Sequence, residues 1–270
     1  MNEIESEVEM KRMWIPLATA LSVISSAGCS SNYWPIREDD SLFLWIRAGD
    51  EPIEIDGDVF RASLEMCLRP ADLEWPCGTR LVPEGYDQDS FVIDQDEIGS
   101  FELECWKDGD ISNGYIDGHC RSLAQKADEG MEFRAIVNDA LVARLTMPAR
   151  TRPTSPKNGS VISVSSVDGI PLSWTPGKPE EALRWEMHET FSVSGGCGPD
   201  VVWSEESHGD LEDVGSFTIP KEVLPTNLPP EGCSTEIVLT RSRDGILEPV
   251  MKNGWTKGQQ YGAVQVLLKP

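Results

Sequence analysis

The segment Asp128–Met147, DEGMEFRAIVNDALVARLTM, leaves little choice of local structure. Phe133, Ala135 and Val137 alternate, then Asn138-Asp139 intervenes, then Leu141, Ala143, Leu145 and Met147 alternate. A period of two places each set on one face of a strand, and Asn-Asp is turn chemistry, so a β-hairpin is predicted. SFELECW (100–106) repeats the pattern: Phe101, Leu103 and Cys105 share one face and Glu102 and Glu104 the other, which aims Cys105 at a core. Further strands are predicted over 41–49, 58–66, 200–204, 215–219, 235–241 and 260–268, while HCRSLAQKADEG (119–130) suggests a helical turn or two. Gly (23) and Pro (19) punctuate the chain and long helical periods are few, so the expected class is all-β.

The N-terminal region has a different character. MKRMWIPLATALSVISSAG (10–28) opens on Lys11-Arg12 and continues uncharged to Gly28. Such a run is shorter than the roughly 20 residues a membrane-crossing helix needs, and it has the basic, apolar and small-residue regions of an export signal. Residues 1–9 carry four glutamates, which suit no such basic region, so Met10 is the expected true start. Ser26-Ala27-Gly28-Cys29 resembles the lipobox of bacterial lipoproteins, with Ser26 where that family favours Leu. The resemblance implies removal of residues 1–28, lipidation of Cys29, a tether over 29–40 and attachment to the membrane through the lipid anchor. Ser30 rather than Asp follows the cysteine, which by the same analogy implies the outer membrane of the bacterial cell envelope. The alternative is a plain secretory signal.

Cysteine usage agrees with export. With Cys29 set aside, Cys67, Cys77, Cys105 and Cys120 precede residue 150, and Cys197 and Cys233 follow it. Even numbers in each half predict disulfides in an oxidising compartment. Cys197–Cys233 is the single choice in the second half, whereas the first half allows three connectivities. A four-cysteine zinc site would need short C-x-x-C spacings, which are absent. Charge is strongly negative, −23 for the chain. Residues 29–150 hold 26 acidic against 11 basic residues, a net of −15, and 151–270 hold 16 against 10, a net of −6. No basic cluster stands out, and such a surface repels nucleic acid.

PARTRPTSPKNGS (148–160) reads as a Pro-rich linker between two folded regions. Before it, Asp128, Gly130 and Phe133 resemble the entry to the closing hairpin of an immunoglobulin-like sandwich, with the aromatic one place late. Phe133 lacks the tyrosine-corner hydroxyl and Ala135 replaces the family cysteine. Beyond the linker, NGSVISVSSVDGIPLSWTPGKPEEALRWEMHETF (158–191) resembles the opening of a fibronectin type III or related domain, with Leu172 and Trp174 sharing a face. The resemblances imply two tandem immunoglobulin-like β-sandwich domains, 41–148 and 158–270, joined by a linker at 149–157 and preceded by the lipoprotein signal peptide. A barrel is the alternative architecture.

Function is less legible. Asp108, Asp110 and Ser112 occupy the first, third and fifth places of a calcium loop, but Asn113 and His119 stand at the sixth and twelfth, where Gly and Glu belong. A solvated acidic loop is the expected reading and calcium the alternative; no other cofactor is expected. Three histidines, His119, His188 and His208, accompany no nucleophile motif, so no catalytic residue is assigned. The acids Asp87, Asp89, Asp94, Asp96, Glu97, Asp108, Asp110 and Asp117 form a candidate binding surface at one end of the first domain. The expectation is a membrane-anchored, non-catalytic structural or interaction module with a protein partner. The alternative is a carbohydrate-binding or polysaccharide-processing accessory protein, with Trp34, Trp75 and Trp255 as stacking platforms in loops.

Overall fold

The computed structural model of the protein describes residues 36, 40–55, 58–70, 78–80, 90–105, 111–112, 115–117, 120–190, 197 and 200–270. Strand dominates, and no α-helix occurs among the described residues. The expected hairpin is present as Glu132–Val137 and Ala140–Thr146. Asn138 and Asp139 both take left-handed backbone angles (φ 52° and 65°), the conformation of a tight two-residue hairpin turn. Asn138 is fixed there by Ser90, whose amide donates to its side-chain oxygen at 2.9 Å and whose carbonyl accepts from its amide at 3.0 Å.

Two hydrophobic cores follow from the alternation. The first lies under Leu42, Leu44 and Ile46 of the first strand (Asp40–Ile55) and Leu64 and Met66 of its partner (Asp58–Pro70). Phe91, Ile93, Phe133, Ala135, Val137 and Leu145, from a five-stranded sheet, fill it from the other side. The second core joins Ile170, Leu172 and Trp174 to Leu183, Trp185, Met187, Ile237, Leu239, Val264 and Val266. It lies between a three-stranded sheet, Pro153–Ser155, Gly169–Trp174 and Ser216–Pro220, and the sheet built from Ala182–Glu189, Cys233–Asp244 and Asn253–Lys269. Layered sheets around apolar cores are the arrangement of a β-sandwich.

The last strand, Asn253–Lys269, unites the molecule. One edge pairs antiparallel with Cys233–Asp244. The other pairs parallel first with Ser41–Gly49, against Asn253–Tyr261, and then with Ser160–Ser163, against Val266–Lys269. Residues 32–270 cluster as one compact unit. The proline-rich stretch between the halves is packed: Gly262 lets the chain cross, since a Cβ there would lie 1.9 Å from the Thr151 carbonyl oxygen.

Several local expectations change. SFELECW is two strands, Gly99–Glu102 in the five-stranded sheet and Glu104–Cys105 in the large one, with Leu103 buried at the step between them. The turn of helix expected after His119 is instead the strand Cys120–Ala124, because residues 120–124 pair with 62–66 and Cys120 is bonded to Cys105. The strand expected at 200–204 reduces to a single bridge, Val202 with Thr226.

Candidate functional site

The last strand has an interval on one edge, Gly262–Gln265, with no strand partner among the described residues. The first strand ends its pairing at Gly49–Tyr261, and Ser160 begins the next pairing at Val266. Asn158 spans part of the gap, its side-chain oxygen accepting from the Gln265 amide at 2.8 Å, and the Gly159 amide donates to the Gln265 carbonyl at 2.7 Å. A cleft of about 840 Å³ opens here. Its floor is the outward face of the sheet whose inward face fills the second core. Along each strand the core residues are the alternates, so Glu236, Val238 and Thr240, and Gln259, Tyr261, Ala263 and Gln265, point outward together. Glu186 extends the floor, Arg47 closes one end, and Arg152, Thr154 and Lys157 form the wall.

Three contacts set the geometry. Tyr261 lies across the first strand at Gly49, where a Cβ would be 2.0 Å from the ring, so this close approach requires glycine. Arg47 stands over Trp45 with its guanidinium carbon 5.1 Å from the ring centroid, a cation–π distance. Trp45 meets Trp255 edge-on at 4.4 Å, and Phe43 meets Trp255 at 5.5 Å, so an aromatic row leads along the outer face to the cleft. At the opposite end His188 Nε2 is 3.1 Å from Glu236 Oε2.

The wall is held from behind by Arg241, which has no exposed side-chain surface. Its Nη2 is 2.7 Å from Asp213 Oδ2 and donates to the Thr175 carbonyl at 2.9 Å. Nη1 donates to the carbonyls of Arg150 (3.0 Å) and Ala149 (3.4 Å), two residues upstream of the cleft wall. Glu181, also unexposed, lies 3.7 Å from Nε and accepts from the Ala149 amide at 3.0 Å, while Asp213 accepts from Trp174 Nε1 at 2.5 Å and the Gly177 amide at 2.9 Å. Buried charges persist when paired and hydrogen-bonded, and this cluster meets that condition except at Arg241 Nε, which has no hydrogen-bond partner. Arg241 shares the inward face of Ile237 and Leu239, a pattern that could have flagged a buried cation in the sequence.

The sequence-predicted acids fall elsewhere. Asp94 and Asp96 both accept from Arg134, Asp94 at 2.6 Å, and Glu97 pairs with Lys126 at 3.0 Å. Hydrogen bonding from the Ser100 hydroxyl (2.6 Å), together with Arg134, holds the Asp94 carboxyl below the usual carboxylate range. Asp87, Asp89, Asp108 and Asp110 lie outside the described residues, and Asp117 ends the strand Tyr115–Asp117. Among the described residues no three His, Cys, Asp or Glu side chains gather to hold a metal. Cys105 is joined to Cys120, and Cys197 to Cys233 with Cα atoms 4.7 Å apart. Cys67 is also in a disulfide, its partner lying, like Cys77, Cys29, Trp34 and Trp75, outside the described residues. Trp255 belongs to the last strand rather than to a loop, and His188 is an exposed strand residue. No described helix is long and apolar enough to cross a membrane.

No family model and no curated protein matches the chain. A solved structure it resembles is a tri-modular GH5 (subfamily 4) endo-β-1,4-glucanase from Bacillus licheniformis complexed with cellotetraose, at 12% identity and a TM-score of 0.26. The match covers 86% of this chain and 39% of that one, so the chain spans well under half of its length.

Proposed function

We propose that the protein is a non-catalytic interaction module of the bacterial envelope, held by a lipid on Cys29, and that the cleft beside Gly262–Gln265 is its recognition surface. Each half of the chain is read as an immunoglobulin-like sandwich, with the last strand shared between them. The observation that carries the proposal is the treatment of cations around the cleft. In an acidic chain, Arg121, Arg134, Arg144 and Arg150 each sit on a carboxylate. Arg47, Arg152 and Lys157, which make no ion pair among the described residues, converge on the cleft, whereas Lys178, Arg184, Lys221 and Lys269, equally without one, lie outside its lining. Local neutralisation would be easy with so many acids available, so open cations at a concave polar surface favour a role in binding.

Two experiments test this. Metabolic labelling with an alkyne fatty acid should tag the wild type and not Cys29→Ala; an untagged, soluble wild type overturns the anchor. Residues 30–270, immobilised, should retain material from isolated envelopes that the double variant Arg152→Glu/Lys157→Glu releases. Equal retention by both proteins overturns the assignment of the cleft.

A further inference from the structure

We infer that the cleft takes an acidic oligosaccharide, a chain of sugar rings carrying spaced carboxylates of the hexuronic acid type. The inference rests on the cleft being the recognition surface, and it names the chemistry that would fill it.

Beside the apolar Val238, Ala263 and Val264, the lining carries four kinds of polar or aromatic group, a combination that few ligand classes match. The cations Arg47, Arg152 and Lys157 sit on the end and the wall. Between them the floor offers amides and a hydroxyl, Gln259, Gln265 and Thr240, which are neutral groups able both to donate and to accept. Tyr261 supplies an aromatic face seated on Gly49. Glu186 and Glu236 stand on the floor as well, acceptors only when ionised.

A densely charged polyanion would meet Glu186 and Glu236 as repulsion, and an uncharged sugar would leave the three cations unused. A uronate chain answers both. Its carboxylates suit the guanidinium fork of Arg152 or Arg47, its hydroxyls donate to the two glutamates, and the polarised C–H face of a ring packs on the negative face of Tyr261. An acidic peptide supplies carboxylates but neither the dense hydroxyl donors nor the ring face. The volume, about 840 Å³, is in the range of sites for small ligands and fits a few sugar rings, with the Trp45–Trp255 row extending the track beyond the cleft. The net charge of −23 does not exclude this, because at physiological ionic strength charges beyond roughly 8 Å are largely screened and the nearby cations dominate.

The test is calorimetric titration of residues 30–270 with tetragalacturonate, its fully methyl-esterified form and a tetraglutamate peptide. Tetragalacturonate should bind, and at least tenfold more tightly than either competitor. Binding should fall at least tenfold in Arg152→Gln and in Tyr261→Ala, and be unchanged in Lys178→Gln, an exposed cation outside the cleft. Circular dichroism and melting checks that each variant is folded; should Tyr261→Ala fail that check, Tyr261→Leu replaces it. Equal binding of the ester, stronger binding of the peptide, or affinity unaffected by Arg152→Gln overturns the inference. No binding of tetragalacturonate also overturns it, yet leaves the recognition surface standing if envelope material is still released by Arg152→Glu/Lys157→Glu.

Discussion

Replacing Arg241 with Met removes one charge and releases three structural segments at once. The guanidinium is unexposed and faces Glu181, also unexposed, and Asp213, whose side chain is 11% exposed. Without it two carboxylates remain in a dry setting, each with only neutral donors: Ala149 and Lys178 amides for Glu181, Trp174 and Gly177 for Asp213. Breaking a buried ion pair from one side costs about 3–5 kcal/mol. The orphaned carbonyls of Arg150 and Thr175 belong to exposed residues and can take water, so they add little to that range. With a urea dependence of about 2–3 kcal/mol per molar, the unfolding midpoint should fall by about 1–2.5 M. Trypsin should also cut faster after Arg150, because the cluster is what holds that backbone. The triple variant Arg241→Met/Glu181→Gln/Asp213→Asn removes the stranded charges and should recover at least half of the loss. A single variant that shifts the midpoint by less than about 0.3 M, or a triple variant no better than the single, refutes the claim that uncompensated charge is the cost.

Gly49→Ala should displace the Tyr261 ring at a cost of about 1–3 kcal/mol, read by thermal melting and by a change in Tyr261 side-chain NMR shifts; an unmoved ring refutes the close-approach argument. Cys197→Ala/Cys233→Ala opens a bridge of sequence separation 36 and should lose about 3–4 kcal/mol of stability by denaturant titration, whereas a loss below about 1 kcal/mol would contradict the chain-entropy estimate. Because the folded Asp94 pKa is depressed, its contribution is present above the ordinary value near 3.9 and is lost as pH falls through the folded value. Asp94→Asn should therefore melt lower than wild type at pH 7, with the gap narrowing as pH falls below the ordinary carboxylate range; a gap that does not narrow on acidification would mean the effect is packing, not ionisation.

Local structure was legible where one face of a strand is buried. The Asn138-Asp139 hairpin and the shared face of Leu172 and Trp174 were readable because alternation fixes which side is apolar and a turn fixes the register. The strand at Cys120–Ala124 was not, since its burial runs buried at both ends and half-buried between, and its state is set by pairing with residues almost sixty positions earlier. SFELECW shows a subtler failure. Its alternation is that of a strand, but nothing local records that the chain changes sheets at Leu103.

The cleft was hidden for a related reason. Its residues come from the first strand, the Pro-rich stretch and three strands of the second half, and most of the lining positions are polar alternates, which by themselves look like a solvated face. Acidic runs attract notice in sequence because they are contiguous, yet Asp94, Asp96 and Glu97 end up on Arg134 and Lys126. The informative marks were glycines inside strand patterns. Gly49 ends SLFLWIRAG and Gly262 interrupts QYGAVQVLL, and a missing side chain within a strand signals that something passes close by. At Gly49 it is Tyr261, and at Gly262 it is the Thr151 carbonyl. Both crossings border the interval where the last strand has lost one partner and not yet met the next. That interval exists because a single strand serves two cores, and the cleft is the geometric consequence of sharing it.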